Sequence, residues 1–456
     1  MPVSPARVAA FEILLRIERE SSYAAELLHS ATYARLSSRD HALATELVFG
    51  VLRWQSRLDE EIAAASSQRL SRLDIEVLTA LRLALHQVRS LDRIPKRAAL
   101  YESVELVKLA RKGSAATFVN AVLRKLAATN GGYDLNIPEQ TDLSPESLAR
   151  VFSHPLWIVE RWAKEYGMAV AQKICEYDQS IPTTVVRLRT SSAEDELKQE
   201  EITLSPAELL SSARIVVTGD ITKTRGFRER HVIIQDQASQ LVAALIGTSD
   251  GGVRSPSRIL DCCAAPGGKT LGMADRNANA SIVAIELHPH RAKLLKKLMS
   301  VAKVRNNVQV VVADAQRLPI SSLFDRVLAD VPCSGTGTLV RNPEIKWRLQ
   351  LRDLKDLQTR QVAILQSAMA QTARGGRVLY STCSLEREEN EDVLDYVLSR
   401  DHSFRVLDCR TEVRRLNESR ELVFRDVESL TRGPYLRTVP GVHSCDGFFG
   451  AILEKS

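Results

Sequence analysis

Residues 258–270 read Arg-Ile-Leu-Asp-Cys-Cys-Ala-Ala-Pro-Gly-Gly-Lys-Thr. The first five residues predict a short buried strand, and the small residues after them predict a tight turn into a helix. Glycine and alanine at such a turn let the backbone approach a ligand closely. The turn could also exist without a ligand, and it is neither the Gly-x-Gly-x-x-Gly dinucleotide fingerprint nor a P-loop.

Strand-like runs alternate with amphipathic helical segments from about residue 230 onward. The predicted strands are 258–262, 281–287, 308–313, 326–330 and 377–381, and the clearest predicted helices are 291–301 and 351–373. This alternation predicts a Rossmann-like α/β domain with a mostly parallel, doubly wound sheet. Because ligands bind beyond the carboxyl ends of such strands, the residues just after each strand are the candidate functional residues.

Acidic residues end the second and third of these strands. Glu286 follows the run Ile-Val-Ala-Ile, and Asp314 follows Val-Val-Val-Ala. A carboxylate at the end of the second strand can accept hydrogen bonds from a ribose diol, and one at the third could hold an adenine edge. Each acid alone is more often a helix cap. Together with the loop 263–269 they indicate a cofactor that carries a nucleoside.

Cysteines follow the fourth and fifth strands. The chain reads Asp330-Val-Pro-Cys333-Ser-Gly after one and Ser-Thr-Cys383-Ser after the other. The seven cysteines form no Cys-x-x-Cys pair and no zinc-ligand pattern with the histidines, and most cysteines are simply small buried apolar residues. Cys333 and Cys383 are candidates for catalysis, because both are predicted at the ligand-binding edge of neighbouring strands, with Asp330 beside one of them.

Residues 261–270 closely resemble the cofactor motif of the RNA cytosine-5 methyltransferases, the Sun/Nop2 group, which often reads Asp-Leu-Cys-Ala-Ala-Pro-Gly-Gly-Lys-Thr. Cys262 stands in place of the leucine, a core-facing change. The resemblance implies S-adenosylmethionine as cofactor, with Glu286 on the ribose and Asp314 near the adenine. The other cofactor-binding residues that it implies are Cys263, Ala264, Ala265, Pro266, Gly267, Gly268, Lys269 and Asp330.

The same resemblance assigns roles to the two cysteines. Carbon 5 of cytosine is too weak a nucleophile to take a methyl group from a sulfonium, and a thiolate added to carbon 6 activates it. In the family the cysteine of Thr-Cys-Ser attacks and that of Pro-Cys-Ser-Gly assists product release, which implies Cys383 and Cys333 in these roles. Asp330 could donate a proton at N3 or N4 if it is protonated. The residues alone leave the two cysteine roles open.

DNA cytosine-5 methyltransferases use the Pro-Cys cysteine for attack and lack the second one, so the expected substrate is RNA and not DNA. Further resemblances cover 235–239, 341–347 and 446–449, the last as a closing strand. Within 341–347, Lys346 and Trp347 could grip a phosphate and stack on a base, and Trp347 as an ordinary core residue fits equally well.

The first 128 residues have apolar residues at helical spacing almost throughout and predict a helical bundle. Residues 7–14, 46–53 and 118–124 resemble the NusB-like RNA-binding domain that is fused to one branch of this family, the 16S ribosomal RNA methyltransferases. Three parts are therefore predicted: a helical NusB-like domain at 1–135, a small α+β connector at 136–230, and the methyltransferase domain at 231–456. A glycine cluster at 130–132 ends the helical pattern.

Positive charge is concentrated in two stretches, although the net charge is only +6. Residues 82–125 contain ten Lys or Arg against three Asp or Glu, and 291–305 contain six basic residues and no acid. Such runs are solvated helix faces in many proteins, and they also suit a polyanion such as RNA. With no apolar run of membrane-spanning length and no signal peptide, we expect a cytoplasmic protein that does not bind a membrane. We also expect a monomer without a metal site.

The resemblance thus implies methylation of carbon 5 of a cytosine in 16S ribosomal RNA, as naked RNA or in an early assembly state. Two other functions fit the sequence. One is the same chemistry on a cytosine of a transfer RNA or of the large-subunit 23S ribosomal RNA. The other is a non-catalytic NusB-type RNA-binding or ribosome-assembly factor, against which the two cysteines, Asp330 and the intact cofactor loop argue.

Overall fold

A computed structural model describes residues 3–20, 22–128, 143–247, 257–304 and 307–456. These residues form two compact units: Met1–Ser180 with Leu339–Arg348, and Ile181–Thr338 with Leu349–Ser456. The predicted three-part division stays a prediction, and both its boundary at 135 and the glycine cluster at 130–132 lie outside the described residues.

The first unit is helical, as predicted for the first 128 residues, and it also contains three helices of the segment predicted as a connector. Its helices are α1 Pro5–Glu20, α2 Ala24–Leu28, α3 Ser38–Ala65, α4 Ile75–Ser90, α5 Lys96–Leu109, α6 Ala116–Ala128, α7 Pro145–Val151, α8 Leu156–Tyr166 and α9 Met168–Gln179. The Ser37 hydroxyl caps α3 by accepting from the Asp40 N–H at 3.1 Å. Fully buried Ile13, Leu47 and Leu81 belong to one apolar core formed by the first helices.

Part of the basic stretch 82–125 is used inside this unit. The Arg82 guanidinium binds Asp59 at 2.7 Å and Glu18 at 2.9 Å, and Arg89 binds Glu61 at 2.8 Å. Both arginine side chains are buried. These two residues therefore stabilise the bundle, and the exposed basic residues of the stretch remain available to a polyanion.

The second unit begins with a small antiparallel sheet. Its strands are β1 Val185–Leu188, β2 Thr203–Pro206, β3 Ala213–Thr218 and β4 Val232–Ile234, in the order β2-β3-β1-β4. Short helices α10 Ala193–Gln199 and α11 Arg225–Arg228 accompany it. Strands β1 and β3 lie in the segment 136–230, for which an α+β connector is predicted, and β1 shares an apolar core with the rest of the unit.

A large sheet makes up the rest of the second unit. In chain order the remaining elements are α12 Gln237–Leu245, β5 Arg258–Asp261, α13 Gly268–Arg276, β6 Ser281–Glu286, α14 Pro289–Val301, β7 Val308–Val312, β8 Phe324–Asp330, α15 Ile345–Arg348, α16 Leu351–Ala370, β9 Thr372–Thr382, α17 Glu391–Leu398, β10 Phe404–Leu407, α18 Cys409–Glu418, β11 Thr431–Arg432, β12 Tyr435–Thr438 and β13 Phe448–Lys455. Of these, α15 belongs to the first unit.

The strand order confirms the predicted fold class. Along the sheet it is β11-β12-β13-β9-β8-β5-β6-β7, and β10 also pairs with β13. The five predicted strands (β5 to β9) are mutually parallel, and β13 joins β9 in the antiparallel sense. The chain reverses its direction of winding between β5 and β8, where ligands of doubly wound sheets bind.

Two details differ from the sequence expectation. The helix predicted at 351–373 ends at Ala370, because Thr372 begins a strand that is longer than predicted. The short strands β10, β11 and β12 were not predicted, since two to four residues of mixed polarity carry no readable period. Among the helices that the structure describes, none is both long and apolar enough to cross a membrane.

Residues 339–348 leave the large sheet and pack within the helical unit. Lys346 is 1% exposed and donates from Nζ to the Arg53 carbonyl at 3.0 Å. The indole N–H of Trp347 donates to the Leu52 carbonyl at 2.6 Å. These contacts show both side chains as packing elements of the bundle, so the expectation that Lys346 grips a phosphate is wrong: its ammonium is buried.

Burial lowers the pKa of Lys346 to about 7. Between that value and the ordinary lysine pKa, the unfolded chain binds a proton that the folded unit does not, so stability should rise with pH. We predict that Lys346→Met flattens the dependence of unfolding free energy on pH between 7 and 10, by up to about 1.4 kcal/mol per pH unit.

Tryptophan fluorescence during urea unfolding measures this unit selectively, because Trp54, Trp157, Trp162 and Trp347, the four tryptophans of the chain, all belong to it. Lys164→Met is the control, since Lys164 is exposed on α8. A wild-type slope in Lys346→Met would contradict the prediction.

Candidate active site

The loop after β5 requires glycine at one position. Gly267 has φ +109°, and a Cβ there would lie 2.6 Å from Leu295 Cδ1 of α14. No other residue type fits this backbone and this close approach. The loop therefore turns directly into α13, which begins at Gly268 and carries Lys269 in its first turn.

A buried carboxylate lies beneath this loop. Asp261, the last residue of β5, accepts from the Thr270 hydroxyl at 2.7 Å through Oδ2. Its Oδ1 has no hydrogen-bond partner among the described residues. Burial raises the pKa of Asp261 to about 7, and the Thr270 hydrogen bond opposes this rise. The Thr270 hydrogen bond thus ties the start of α13 to the end of β5, and the Asp261 carboxylate keeps one acceptor oxygen that is not used.

Glu286 and Asp314 lie at the ends of β6 and β7, on the same sheet edge as the loop. Glu286 is buried and accepts from the His288 N–H at 2.8 Å. Asp314 is exposed and accepts from the Gln316 N–H at 2.9 Å. Each carboxylate therefore caps a local turn and keeps further acceptor sites. These two acceptors, together with the glycine loop, fit a nucleoside-bearing cofactor.

Cys333 and Cys383 are brought together by the parallel pairing of β8 with β9. Asp330 stands opposite Ser381 in that register, and each cysteine follows shortly after its strand. The two sulfurs are 3.2 Å apart, and both cysteines are free and partly buried. The Cys383 carbonyl also accepts from the Gly337 N–H at 2.9 Å, which links the two loops.

An ion pair lies beside the cysteines. Lys269 Nζ is 2.8 Å from Asp330 Oδ2, and the Ser381 hydroxyl donates to Asp330 Oδ1 at 2.7 Å. Burial lowers the pKa of Lys269, but the Asp330 carboxylate more than offsets this, and the net pKa is raised. Both Asp330 oxygens therefore face a donor.

The surroundings of Cys333 make its thiol hold its proton tightly. Its hydrogen bond with Cys383, its burial and the negative charge of Cys383 and Glu389 raise the pKa of Cys333 well above its ordinary value. Two thiolates at this distance would repel each other strongly. At most one of the two sulfurs can therefore be charged at a time, and the raised pKa favours the neutral form of Cys333.

Glu389, which sequence reasoning missed, links the two cysteine loops. This fully buried carboxylate accepts from the Ser334 N–H at 2.8 Å and from Gln361 Nε2 at 2.8 Å. It also accepts from the hydroxyls of Ser334 and Ser384, the residues that follow Cys333 and Cys383. In the sequence Glu389 belongs to a charged run, 386–389, that is typical of a solvent-exposed turn.

Two of the resembled segments meet near the same edge. Asp236, in the segment 235–239, accepts from the Ala238 N–H at 2.8 Å and from the Asp446 N–H at 3.2 Å. Gly447 donates to the Gly337 carbonyl at 2.7 Å, so close that a Cβ on Gly337 would clash. The segment 446–449 leads into β13 beside β9. The third segment, 341–347, belongs to the helical unit.

Comparison with known proteins identifies a family for each of two parts of the chain. The family described as "16S rRNA methyltransferase RsmB/F" matches residues 253–454, and the NusB family matches residues 4–128. The probable ribosomal RNA small subunit methyltransferase B of Bacillus subtilis (strain 168) is 31% identical, with all of both chains covered. The protein with the same description in Synechocystis is 32% identical over 99% of each chain.

Solved structures agree on the fold. The crystal structure of PH0851 has a TM-score of 0.78 at 22% identity, with 100% of both chains covered. NSun6 from Pyrococcus horikoshii has a TM-score of 0.55 at 18% identity, with 66% of this chain and 98% of that one covered. The full-length relatives at 30% identity or more decide the matter: this chain belongs to the RsmB/F family of ribosomal RNA methyltransferases.

Proposed function

We propose that this protein transfers a methyl group from S-adenosylmethionine to carbon 5 of a cytosine in 16S ribosomal RNA, with Cys383 as the nucleophile. The observation that carries the proposal is the 3.2 Å approach of Cys333 and Cys383 beside the Lys269–Asp330 ion pair. A pair of cysteines at the ligand-binding edge of a methyltransferase sheet suits a reaction that needs both a nucleophile and a base.

The cofactor site consists of the loop 263–269 with Glu286 and Asp314. When bound there, S-adenosylmethionine supplies an electrophilic methyl group on a sulfonium sulfur. Backbone groups of Cys263, Ala264, Ala265, Pro266, Gly267 and Gly268 would surround it, because these small residues keep the loop open to a ligand. The Glu286 carboxylate would accept from the ribose hydroxyls, and Asp314 would approach the adenine.

Cys383 would attack first. Its thiolate forms a bond to carbon 6 of cytosine, and the displaced π electrons make carbon 5 nucleophilic, so that carbon 5 takes the methyl group. The Asp330 carboxylate can accept from the N4 amino group. The neighbouring Lys269 ammonium stabilises the electron density that the attack pushes toward N3.

Cys333 would remove the proton from carbon 5. While Cys383 is a thiolate, its hydrogen bond and its charge keep Cys333 protonated. Once the Cys383 sulfur is bonded to carbon 6 it carries no charge, and both of these effects disappear. Cys333 can then lose its proton to water and accept the one on carbon 5. The carbon 6–sulfur bond breaks as the electron pair returns to Cys383, which frees the methylated product.

Three features support RNA as the substrate. The relatives are named as methyltransferases of the small ribosomal subunit RNA, and the first unit matches the NusB family. The helix α14 approaches Gly267 of the cofactor loop through Leu295. It has three exposed lysines: Lys293, Lys296 and Lys297. Such lysines can neutralise phosphates. Arg305, the last residue of this basic stretch, lies outside the described residues.

The function is tested by methyl transfer. With labelled S-adenosylmethionine and unmethylated, deproteinised 16S ribosomal RNA, we expect label in 5-methylcytidine after nuclease digestion. Transfer RNA and 23S ribosomal RNA serve as matched substrates. Label in one of these instead of 16S ribosomal RNA would mean that this other RNA is the substrate. If none of the three RNAs takes up label from protein that circular dichroism shows to be folded, the hypothesis of a methyltransferase activity is excluded.

The cysteine roles make separate predictions. Cys383→Ala should lower the transfer rate by at least about 10³-fold and form no covalent adduct, because the nucleophile is lost. Cys333→Ala should accumulate a protein–RNA adduct that survives denaturing electrophoresis, because proton removal fails after attack. Cys409→Ala, at a buried cysteine of α18, is the control and should keep both activities. The reverse pattern in the first two variants would contradict the assignment.

Glu389 is predicted to position both cysteines. Glu389→Gln replaces one acceptor oxygen by a donor amide that faces the serine donors, so the two loops should shift. We expect kcat to fall by about 10²-fold with KM little changed, and adduct formation to slow with it. Glu388→Gln, at the adjacent partly exposed residue, should behave as wild type.

A purely structural role for Glu389 would lower the melting temperature and leave the adduct rate of the folded fraction unchanged. Ser384→Ala removes a single donor to the same carboxylate and should reproduce the effect more weakly. Wild-type adduct rates in both variants would reject the positioning role.

A further inference from the structure

A cavity in the second unit has no role in the chemistry above. It has a volume of about 170 Å³ and lies between the small sheet and the helices α12 and α13. Arg187 of β1, Gln240 of α12 and Arg276 at the end of α13 line it, with Ser211 and Ser212. A water molecule occupies about 30 Å³ in the liquid, so the cavity has room for a polyatomic ligand.

The polar atoms of this cavity are incompletely paired. Arg187 donates from Nη1 to Asp275 at 2.8 Å, but its Nε and Nη2 are buried with no hydrogen-bond partner among the described residues. The same holds for Arg276 Nε, although that guanidinium also binds Glu421. Unpaired buried donors are costly, and natural proteins rarely leave several of them together.

Gln240 adds an acceptor to these donors. Its side chain is 4% exposed, and its Nε2 donates to the Gln235 carbonyl at 2.9 Å. Its Oε1 has no partner in the described part of the chain. The site therefore offers several N–H donors beside two acceptors, Gln240 Oε1 and the Glu421 carboxylate that pairs with Arg276. The exposed Ser211 and Ser212 bring hydroxyl groups to its edge.

The local charge is unbalanced. Three guanidinium groups, those of Arg187, Arg189 and Arg276, face two carboxylates, those of Asp275 and Glu421. Arg189 engages Asp275 through two bonds, at 2.9 and 2.6 Å, which leaves little of that carboxylate for Arg187. Burial lowers the pKa of Arg187, because it removes water from the charged guanidinium. An anion beside this group would offset the loss of hydration.

We propose that this cavity binds a phosphate group. A phosphate carries negative charge and several acceptor oxygens, which match the unpaired N–H groups of Arg187 and Arg276 and the serine hydroxyls. A protonated oxygen or a neighbouring hydroxyl would donate to Gln240 Oε1. Two sources have this chemistry: a free phosphate ion, and a phosphodiester of the RNA substrate. Only the second source rests on the proposed function.

The test is calorimetric titration of the full-length protein with inorganic phosphate, at an ionic strength held constant with sodium chloride. We expect one site in the wild type and an affinity at least about tenfold lower in Arg187→Gln, because charge-assisted hydrogen bonds are lost. Arg377→Gln is the matched control: Arg377 is also partly buried and paired with acids, Glu412 and Glu454, but does not line the cavity.

A second variant keeps the test valid if Arg187→Gln fails to fold. Ser212→Phe changes an exposed residue, leaves all the ion pairs in place and fills the cavity edge, so it should also weaken phosphate binding. Absence of phosphate binding to the wild type, or undiminished binding to both variants, would overturn the proposal. Because this titration uses neither RNA nor methyl donor, its outcome is independent of the methyltransferase activity.

RNA binding separates the two sources. If a phosphodiester occupies the cavity, Arg187→Gln should weaken binding of a labelled 16S ribosomal RNA fragment and reduce its salt slope by about one. Inorganic phosphate should then compete with that RNA. If RNA affinity and salt slope match those of Arg377→Gln while phosphate still binds the wild type, the ligand is the free ion.

Discussion

The site depends above all on the parallel pairing of β8 with β9. Its register sets Asp330 opposite Ser381 and carries the chain on to Cys333 and Cys383, whose sulfurs are 3.2 Å apart. A slip of one residue would turn one set of side chains to the other face and separate them. The Glu389 carboxylate accepts hydrogen bonds from both loops that follow these strands, and these bonds hold the two cysteines in place.

Charge compensation is the second constraint on this edge of the sheet. Lys269 enters from the first turn of α13 and meets Asp330 at 2.8 Å, so a lysine and a carboxylate that are costly to bury alone are partly buried together. The glycine loop makes this possible, because Gly267 lets α13 begin directly above β5. The loop that is proposed to hold the cofactor therefore also delivers a cation to the cysteines.

The sequence predicted the parts of the fold that repeat a strong local pattern. The helical bundle, the five parallel strands and the loop after β5 all carry a clear period or composition, and the structure confirms them. Glu389 and Lys346 could not be predicted, because their burial is decided by distant partners. A charged residue carries no local sign that Ser334 or the Arg53 carbonyl will meet it. Tertiary contacts of this kind override what composition suggests.

The proton balance of the pair explains why a second cysteine suits the proposed reaction better than a carboxylate would. A carboxylate base at the position of Cys333 would be charged before attack and would repel the Cys383 thiolate. The Cys333 thiol is instead neutral at that stage, because Cys383 itself holds its proton in place. Bond formation at Cys383 removes that restraint, so the same group becomes a base only after the nucleophile has reacted. On this mechanism the order of steps follows from the distance between two sulfurs, without any movement of the chain.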